Sequence, residues 1–543
     1  MLLRFALPLA ILAAVPLHAQ SVWQATTNKN WSTSGNWSSG VPNSDTAIAQ
    51  FGATSQPDVN ITGTLTVDRI EFTANAPAYT FAHKNGSTLT FAGAGIVNSS
   101  SATQTFDLKA NNAAAARIVF TNSASAGNAA IAAQGTSSYA GAIDFLNTSS
   151  AGTAQLTLDK YGSATFDESA TAANAKITIQ NNGGSVTFKS ASTAASADIT
   201  LTADASLVFS GNSSAGSAQI LATYAPATLA QIAPAQISFT DNATAGSATI
   251  DTTRIDFSGN ATAGNAAFTL RGYANFKDSS TAGSATFTVN GGQVITFDNT
   301  SSLASANLTM GTNSGVLFKA NSTGGSGTIS GGNWLYKTGA GTVVLSGDLT
   351  YSGSTEVEAG ALFINGSLTN TTMVTVRAGA SLGGSGRIDR GTFIHAGARL
   401  EPGGDAHSAG TLTFGYALIF SRNATIDFDL GTVSDLIHIT SGWISGPSGD
   451  GGITLNLFDS GGFTAGTYTL FDFSTGEIAL YDFDLSDFVF GETIDGFNYS
   501  LAFEGNTLAL TATSTAIPEP STYATFFGLA ALGFCAFRKR RSR

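Results

Sequence analysis

Through the middle of the chain, short alternating runs of apolar and polar residues end in phenylalanine. A stretch of Ser, Thr, Asn, Ala and Gly follows each one. FTNSASAGNA begins at Phe120, FLNTSSAGTA at Phe145, FDESATAANA at Phe166, FKSASTAASA at Phe188 and FSGNSSAGSA at Phe209. FTDNATAGSA follows at Phe239, FSGNATAGNA at Phe257, FKDSSTAGSA at Phe276, FDNTSSLASA at Phe297 and a looser FKANSTGGSG at Phe318. The phenylalanines stand 25, 21, 22, 21, 30, 18, 19, 21 and 21 residues apart. Self-similarity near twenty residues predicts a solenoid. Period-two alternation, as in Ser206–Phe209 and again in Ala266–Leu270, predicts two strands per unit, with the small polar run as turns. A unit this small cannot bury its apolar face alone, so successive units must stack. Stacking puts each Phe over the last in an internal aromatic ladder, with Asn at a fixed offset as a second ladder. The fold class this predicts is all-β, a right-handed parallel β-helix. A disordered Ser/Thr/Ala/Gly tract has the same composition, but Phe, Ile and Leu at regular offsets argue against it.

The rest of the chain fits around that array. Residues 1–19 read as a secretory signal, with Arg4 ahead of the apolar run Phe5–Leu17 and cleavage expected after Ala19. Residues 20–117 hold a cap and the first coils. Trp23, Trp31 and Trp37 lie there within fifteen positions, either as a sugar-binding surface or as cover for the end of the solenoid core, which needs bulky apolar residues. The wording NWSSGVPNSDTA resembles the start of autotransporter passenger regions, which favours the cover. Residues 118–331 are the Phe-marked array, and LATYAPATLAQIAPAQ (221–236) reads as a loop extruded from one coil.

Residues 332–450 change in character. WLYKTGAGTVVLSG from Trp334, LTYSGSTEVEAGALFINGSL (349–368) and VTVRAGASLGGSGRI (374–388) resemble the autotransporter-associated β-strand repeat. ARLEPGGDAHSAGTLTF (398–414) and ATIDFDLGTVSDLIHITSG (424–442) continue the likeness. That resemblance implies a parallel β-helix scaffold of adhesins and other surface proteins, and no activity. Residues 451–515 carry the strands ITLNLF, TYTLFDF, YSLAF and TLALTAT, read as a closing cap and too few for a membrane barrel, so self-translocation is not expected.

Residues 516–543 combine Pro518-Glu519-Pro520, an apolar segment from Tyr523 to Phe537, and the basic tail Arg538, Lys539, Arg540, Arg541 and Arg543. The three parts in this order resemble the PEP-CTERM sorting signal. The resemblance implies export through the Sec translocon and transient anchoring in the inner membrane by a single hydrophobic helix. It also implies recognition by an exosortase-type protease as partner. As a helix the apolar segment spans about 22 Å, short of the roughly 30 Å hydrocarbon core, and its flanking arginines can snorkel.

Composition narrows the partners. Of 543 residues 11% are charged and the net charge is −12, so no basic surface for nucleic acid exists away from the ends. At about 21 residues and about 4.8 Å per coil, residues 23–513 make a rod on the order of 110 Å. The single cysteine, Cys535, leaves the body without disulfides or thiolate metal sites.

Candidate chemistry is sparse. His83, His395, His407 and His438 are scattered, and Asp405 with His407 and Asp435 with His438 make only pairs, too few ligands for zinc. The nearest approach to a serine-nucleophile elbow, Gly383–Arg387, is broken by Arg387. The densest acidic run is Asp472, Glu477, Asp482, Asp484, Asp487, Glu492 and Asp495. In YDFDLSDF alternation puts Asp482 and Asp484 on one strand face, read either as a calcium site or sugar-cleaving pair or as the solvated face of a capping strand. No Lys or Arg lies between Arg422 and Arg538, which counts against a lyase. Thr-x-Thr pairs at Thr64, Thr88 and Thr286 suggest ice or polysaccharide binding, but they do not recur at one offset across the repeats. The sequence therefore predicts no catalytic residues, metal or cofactor. It predicts an exported, non-enzymatic β-solenoid of the cell surface or matrix, structural or adhesive, with extracellular polysaccharide as a partner. A β-helix polysaccharide-active enzyme and an ice- or polysaccharide-binding solenoid are the alternatives.

Overall fold

A computed structural model describes residues 20–84, 86–110, 114–180, 183–223, 234–405, 407–447, 452–473, 478–515, 527–534 and 537–538. The signal with Ala19, most of the 221–236 loop, Glu477 and Cys535 lie outside the described residues. So do the sorting motif Pro518–Pro520, Tyr523 and the tail from Lys539 to Arg543. The chain is an all-β parallel β-solenoid of about 18 turns. It divides into two compact units, one running to Val343 with Gly347–Gly353, the other comprising Val344–Ser346 and everything from Ser354.

In the first unit the Phe-ending strands lie parallel and in register, so Phe145 pairs with Phe120 and with Phe166, and Phe188 with Phe209. From Phe91 to Phe318 the rings stack with centroids 4.6–5.2 Å apart and planes within 3–15° of parallel. The ladder thus begins one coil earlier than the repeat wording marks. It is offset stacking, the arrangement a ring quadrupole prefers, repeated at the strand spacing. A second column brings Leu156, Ile177, Ile199, Ile220 and Ile250 into line, then Phe268 and Phe287. All of these side chains are buried. Turns close each coil through left-handed residues. Gly264 (φ 60°) is one, where a Cβ would meet the Gly246 carbonyl oxygen at 2.7 Å.

The tryptophans close the end of this core. Trp23, Trp31 and Trp37 are all buried and ring Phe51 at centroid distances of 5.8, 5.8 and 5.6 Å. Trp31 Nε1 donates to the Pro42 carbonyl (3.1 Å) and Trp37 Nε1 to the Trp31 carbonyl (2.7 Å). Their faces and N–H groups are spent inside the fold, so they offer no surface to a sugar.

In the second unit parallel strands continue through Val374–Val376, Thr392–Ile394 and Leu418–Phe420, and through Arg399–Pro402, Ala424–Gly431 and Ile453–Gly461. The pattern then reverses. Gly466–Asp472 pairs antiparallel with Thr507–Ser514, which pairs antiparallel with Phe497–Glu504. YDFDLSDF does not form the expected strand. Strand Ala479–Tyr481 stops, Asp482 turns left-handed (φ 46°), and Leu485–Asp487 is a 3-10 turn capped by Asp484. Asp484 accepts from Ser486 N (2.8 Å) and Asp487 from Asp484 N (2.8 Å), so local capping bonds outcompete the alternating pattern. At the C-terminus residues 527–534 and 537–538 are helical and exposed. No helix among the described residues is long and apolar enough to cross a membrane.

Candidate functional site

Stacking turns each outward repeat position into a rank. Five positions after every ladder Phe, from Ser125 to Ser302, stands a Ser or Thr, and each bridges in parallel to the next coil. Its hydroxyl accepts from the backbone N–H two residues on, at 2.9–3.1 Å, as Ser125 does from Gly127 and Thr281 from Gly283. Eight positions after the Phe the residue is an exposed Asn, Ser or Thr, with Ser196 bonded to Ser217 (3.0 Å) and Ser284 to Ser305 (2.9 Å). At the third position Asn260 donates to Asn242 and Asn242 to Asn212, both at 3.1 Å, the amide ladder expected from the sequence. At Ser279 and Thr300 hydroxyls take over (3.1 Å). The fifth-position hydroxyl rank is distinct from the Thr-x-Thr pairs of Thr64, Thr88 and Thr286, which do not recur at one offset across the repeats. Its signal was in the sequence, at the fifth residue after Phe rather than in the Thr-x-Thr pairs.

In the second unit the register assembles acids that the sequence keeps apart. Asp427 and Asp429 alternate on one face of Ala424–Gly431, and both are buried, as is Asp435. Arg399 bonds Asp427, whose other oxygen accepts from Asn456 Nδ2 (2.8 Å). His407 Nδ1 lies 3.4 Å from Asp429, and its ring meets Phe458 edge-on at 4.9 Å. Asp435 accepts from Gly410 N (2.7 Å) and Asp429 N (2.8 Å). Burial pushes the Glu401 and Asp429 carboxyls up and that of Asp435 up to about 8, against two N–H bonds that favour the ionised form. Raised carboxyls in a cluster are a pattern of reactive sites. Here the geometry points elsewhere, because both oxygens of Asp427 and of Asp435 are bonded within the chain and Asp429 Oδ1 faces His407. Asp429 and Asp435 tie His407 and Gly410 to the sheet, and Asn365 Nδ2 donates to the Gly404 carbonyl (2.6 Å).

The predicted pairs are rearranged. His407 faces Asp429 and His438 faces Asp472 (3.9 Å), in register one coil on, rather than Asp405 and Asp435. Among the described residues, neither the 472–495 acids nor any other group of three or more His, Cys, Asp or Glu is placed to hold a metal. His83 lies in the core, its Nδ1 3.2 Å from Ser87 Oγ, and burial pushes its imidazole down to about 3. Of the residues named for the C-terminal signal, only Phe537 and Arg538 are described, and Phe537 is exposed, like Phe527, Leu529, Leu532 and Phe534 of the same apolar segment.

Comparison with known proteins agrees with this scaffold. Residues 335–362 match the Passenger-associated-transport-repeat family. The chain is 30% identical over 122 residues to the Adhesin BmaC autotransporter of Brucella suis biovar 1 (strain 1330). That match takes in 21% of this chain and only 4% of the adhesin's length. The crystal structure of the Haemophilus influenzae Hap adhesin is similar at 12% identity over 84% of this chain and 64% of that one, with a TM-score of 0.29.

Proposed function

We propose that this chain is an exported β-solenoid of the cell surface or extracellular matrix, with a structural and adhesive role and no catalytic one. The observation that carries the reading is the pairing of a continuously stacked core with uncharged Ser, Thr and Asn ranks on the outside of the first unit. Such a surface makes many weak polar contacts, and the closed core behind it needs no ligand to be stable. Similarity to an autotransporter adhesin supports the same role. In this proposal the chain crosses through the Sec translocon and is held briefly in the inner membrane by the Tyr523–Phe537 segment. An exosortase-type protease acting at Pro518-Glu519-Pro520 then sorts it, the basic tail staying cytoplasmic. Proteinase K added to intact host cells tests surface exposure. Digestion of the repeats, with weaker attachment to surfaces in a deletion strain, is expected. Protection of the repeats and unchanged attachment contradict the proposal.

The hydroxyl rank supports a second reading, binding of an ordered solid such as crystalline polysaccharide or ice. Co-sedimentation with microcrystalline cellulose and ice-growth inhibition test it, and inactivity in both rejects it.

A further inference from the structure

A different outward face of the second unit carries a shallow, open groove. Glu356, Thr375 and Phe393 stand in one column, paired across the parallel strands Ser354–Val357, Val374–Val376 and Thr392–Ile394. Arg377 and His395 follow two residues on from Thr375 and Phe393, on the same side by alternation. Thr375, Arg377, Phe393 and His395, together with Met373, which is 46% exposed, line a groove of about 310 Å³, and Glu356 borders it through its bond to Arg377. The volume lies at the lower end of the roughly 300–1,000 Å³ typical of small-ligand sites.

Three features define what the groove can take. Its lining is largely apolar, with the Phe393 ring 4.5 Å from the His395 ring and tilted 45° to it, and Met373 beside them. Its one cation is already paired, since Arg377 Nε and Nη2 both reach Glu356 Oε1, at 2.6 and 2.5 Å. The imidazole of His395 is held below its ordinary value, first by burial and then by the Arg377 charge, so at neutral pH it presents one donor and one acceptor without charge. An anion finds no free positive charge here, and a purely apolar guest leaves the Arg377–Glu356 pair and His395 facing it unused. The complementary guest has one apolar face, a rim of hydroxyls and no charge.

We propose that this groove is a subsite for one neutral pyranose unit of a polysaccharide. The C–H face of the sugar stacks on Phe393, and its hydroxyls bond the free N–H groups of Arg377, the carboxylate of Glu356 and the His395 imidazole. The inference deepens the adhesive reading by naming a ligand class, and it does not depend on how the protein is sorted.

The test is isothermal titration of the purified chain with cellohexaose, laminarihexaose and maltohexaose, alongside an anionic oligogalacturonate. At least one neutral hexasaccharide is expected to bind with Kd near or below about 1 mM, about 4 kcal/mol, and the anionic one more weakly. Phe393→Leu, which keeps apolar bulk but removes the ring, should weaken binding at least tenfold with an unchanged circular dichroism spectrum. Arg377→Gln gives the same readout should the first variant fail to fold. Absence of binding to all three neutral sugars, stronger binding of the anionic one, or wild-type affinity in a folded variant overturns the proposal. Surface display of Phe393→Leu in the host should be normal, so a failure of sugar binding is separable from a failure of the surface role.

Discussion

Lys337 pairs in register with Phe318, one coil on, and so takes the place of the next ring in the phenylalanine ladder. It is fully buried, and its Nζ donates to the Gly339 carbonyl. The ladder therefore ends on a buried amine that bonds the backbone of the following turn.

Burial pushes the Lys337 amine down to about 8 from its usual value of 10.5. Between about pH 8 and 10 the unfolded chain keeps a proton that the folded chain has released, so this residue adds stability as pH rises through that window. Lys337→Met should lose that rise. Thermal melts at pH 8 and pH 10 check it, and equal slopes for the two proteins contradict the assignment.

Phe188 stacks between Phe166 (4.7 Å) and Phe209 (4.8 Å). Phe188→Ala removes both contacts and opens a cavity, and should cost about 3–5 kcal/mol. Ser196→Ala, on the exposed rank of the same coil, should stay within about 0.5 kcal/mol. Urea midpoints of the two variants compare them directly. Similar midpoints mean the ladder does not carry the core.

Trp31, fully buried over Phe51, is the centre of the N-terminal cover. Trp31→Ala should cost about 3–5 kcal/mol locally and speed trypsin cleavage near Lys29 while leaving oligosaccharide affinity unchanged. Lost sugar affinity with an intact cleavage rate would restore the aromatic-surface reading.

Asp435 has a folded pKa raised to about 8, so its contribution runs opposite to that of Lys337. Stability is fully present below the unfolded value of about 3.9 and is lost as pH rises towards 8. Burial raises Glu401 and Asp429 in the same sense. Asp435→Asn should flatten the decline in melting temperature between about pH 4 and pH 8 relative to wild type. A decline as steep as that of wild type rejects it.

The array was legible because its core uses one large residue at one position per coil, and neither register nor distance needs to be known to count Phe120 to Phe318. Lys337 was not legible as a ladder member, since its identity breaks the pattern that marks the position. The acids show the same limit from the other side. Asp482, Asp484 and Asp487 cluster in sequence, but a capped turn replaces the strand that would have set Asp482 and Asp484 on one face. Arg399, Asp427 and Asn456 are distant in sequence and meet only through strand register. The groove at Phe393 depends equally on register, which joins Glu356 to Thr375 and Thr375 to Phe393 across three coils.

The most direct test of the surface role is fractionation of the host with an antibody to the repeats, with and without its exosortase gene, and mass spectrometry of the mature C-terminus. The account predicts protein at the cell surface or in the matrix that lacks residues beyond Pro518-Glu519-Pro520, and retention in the inner membrane without the exosortase. Full-length protein held in the inner membrane of both strains would contradict it.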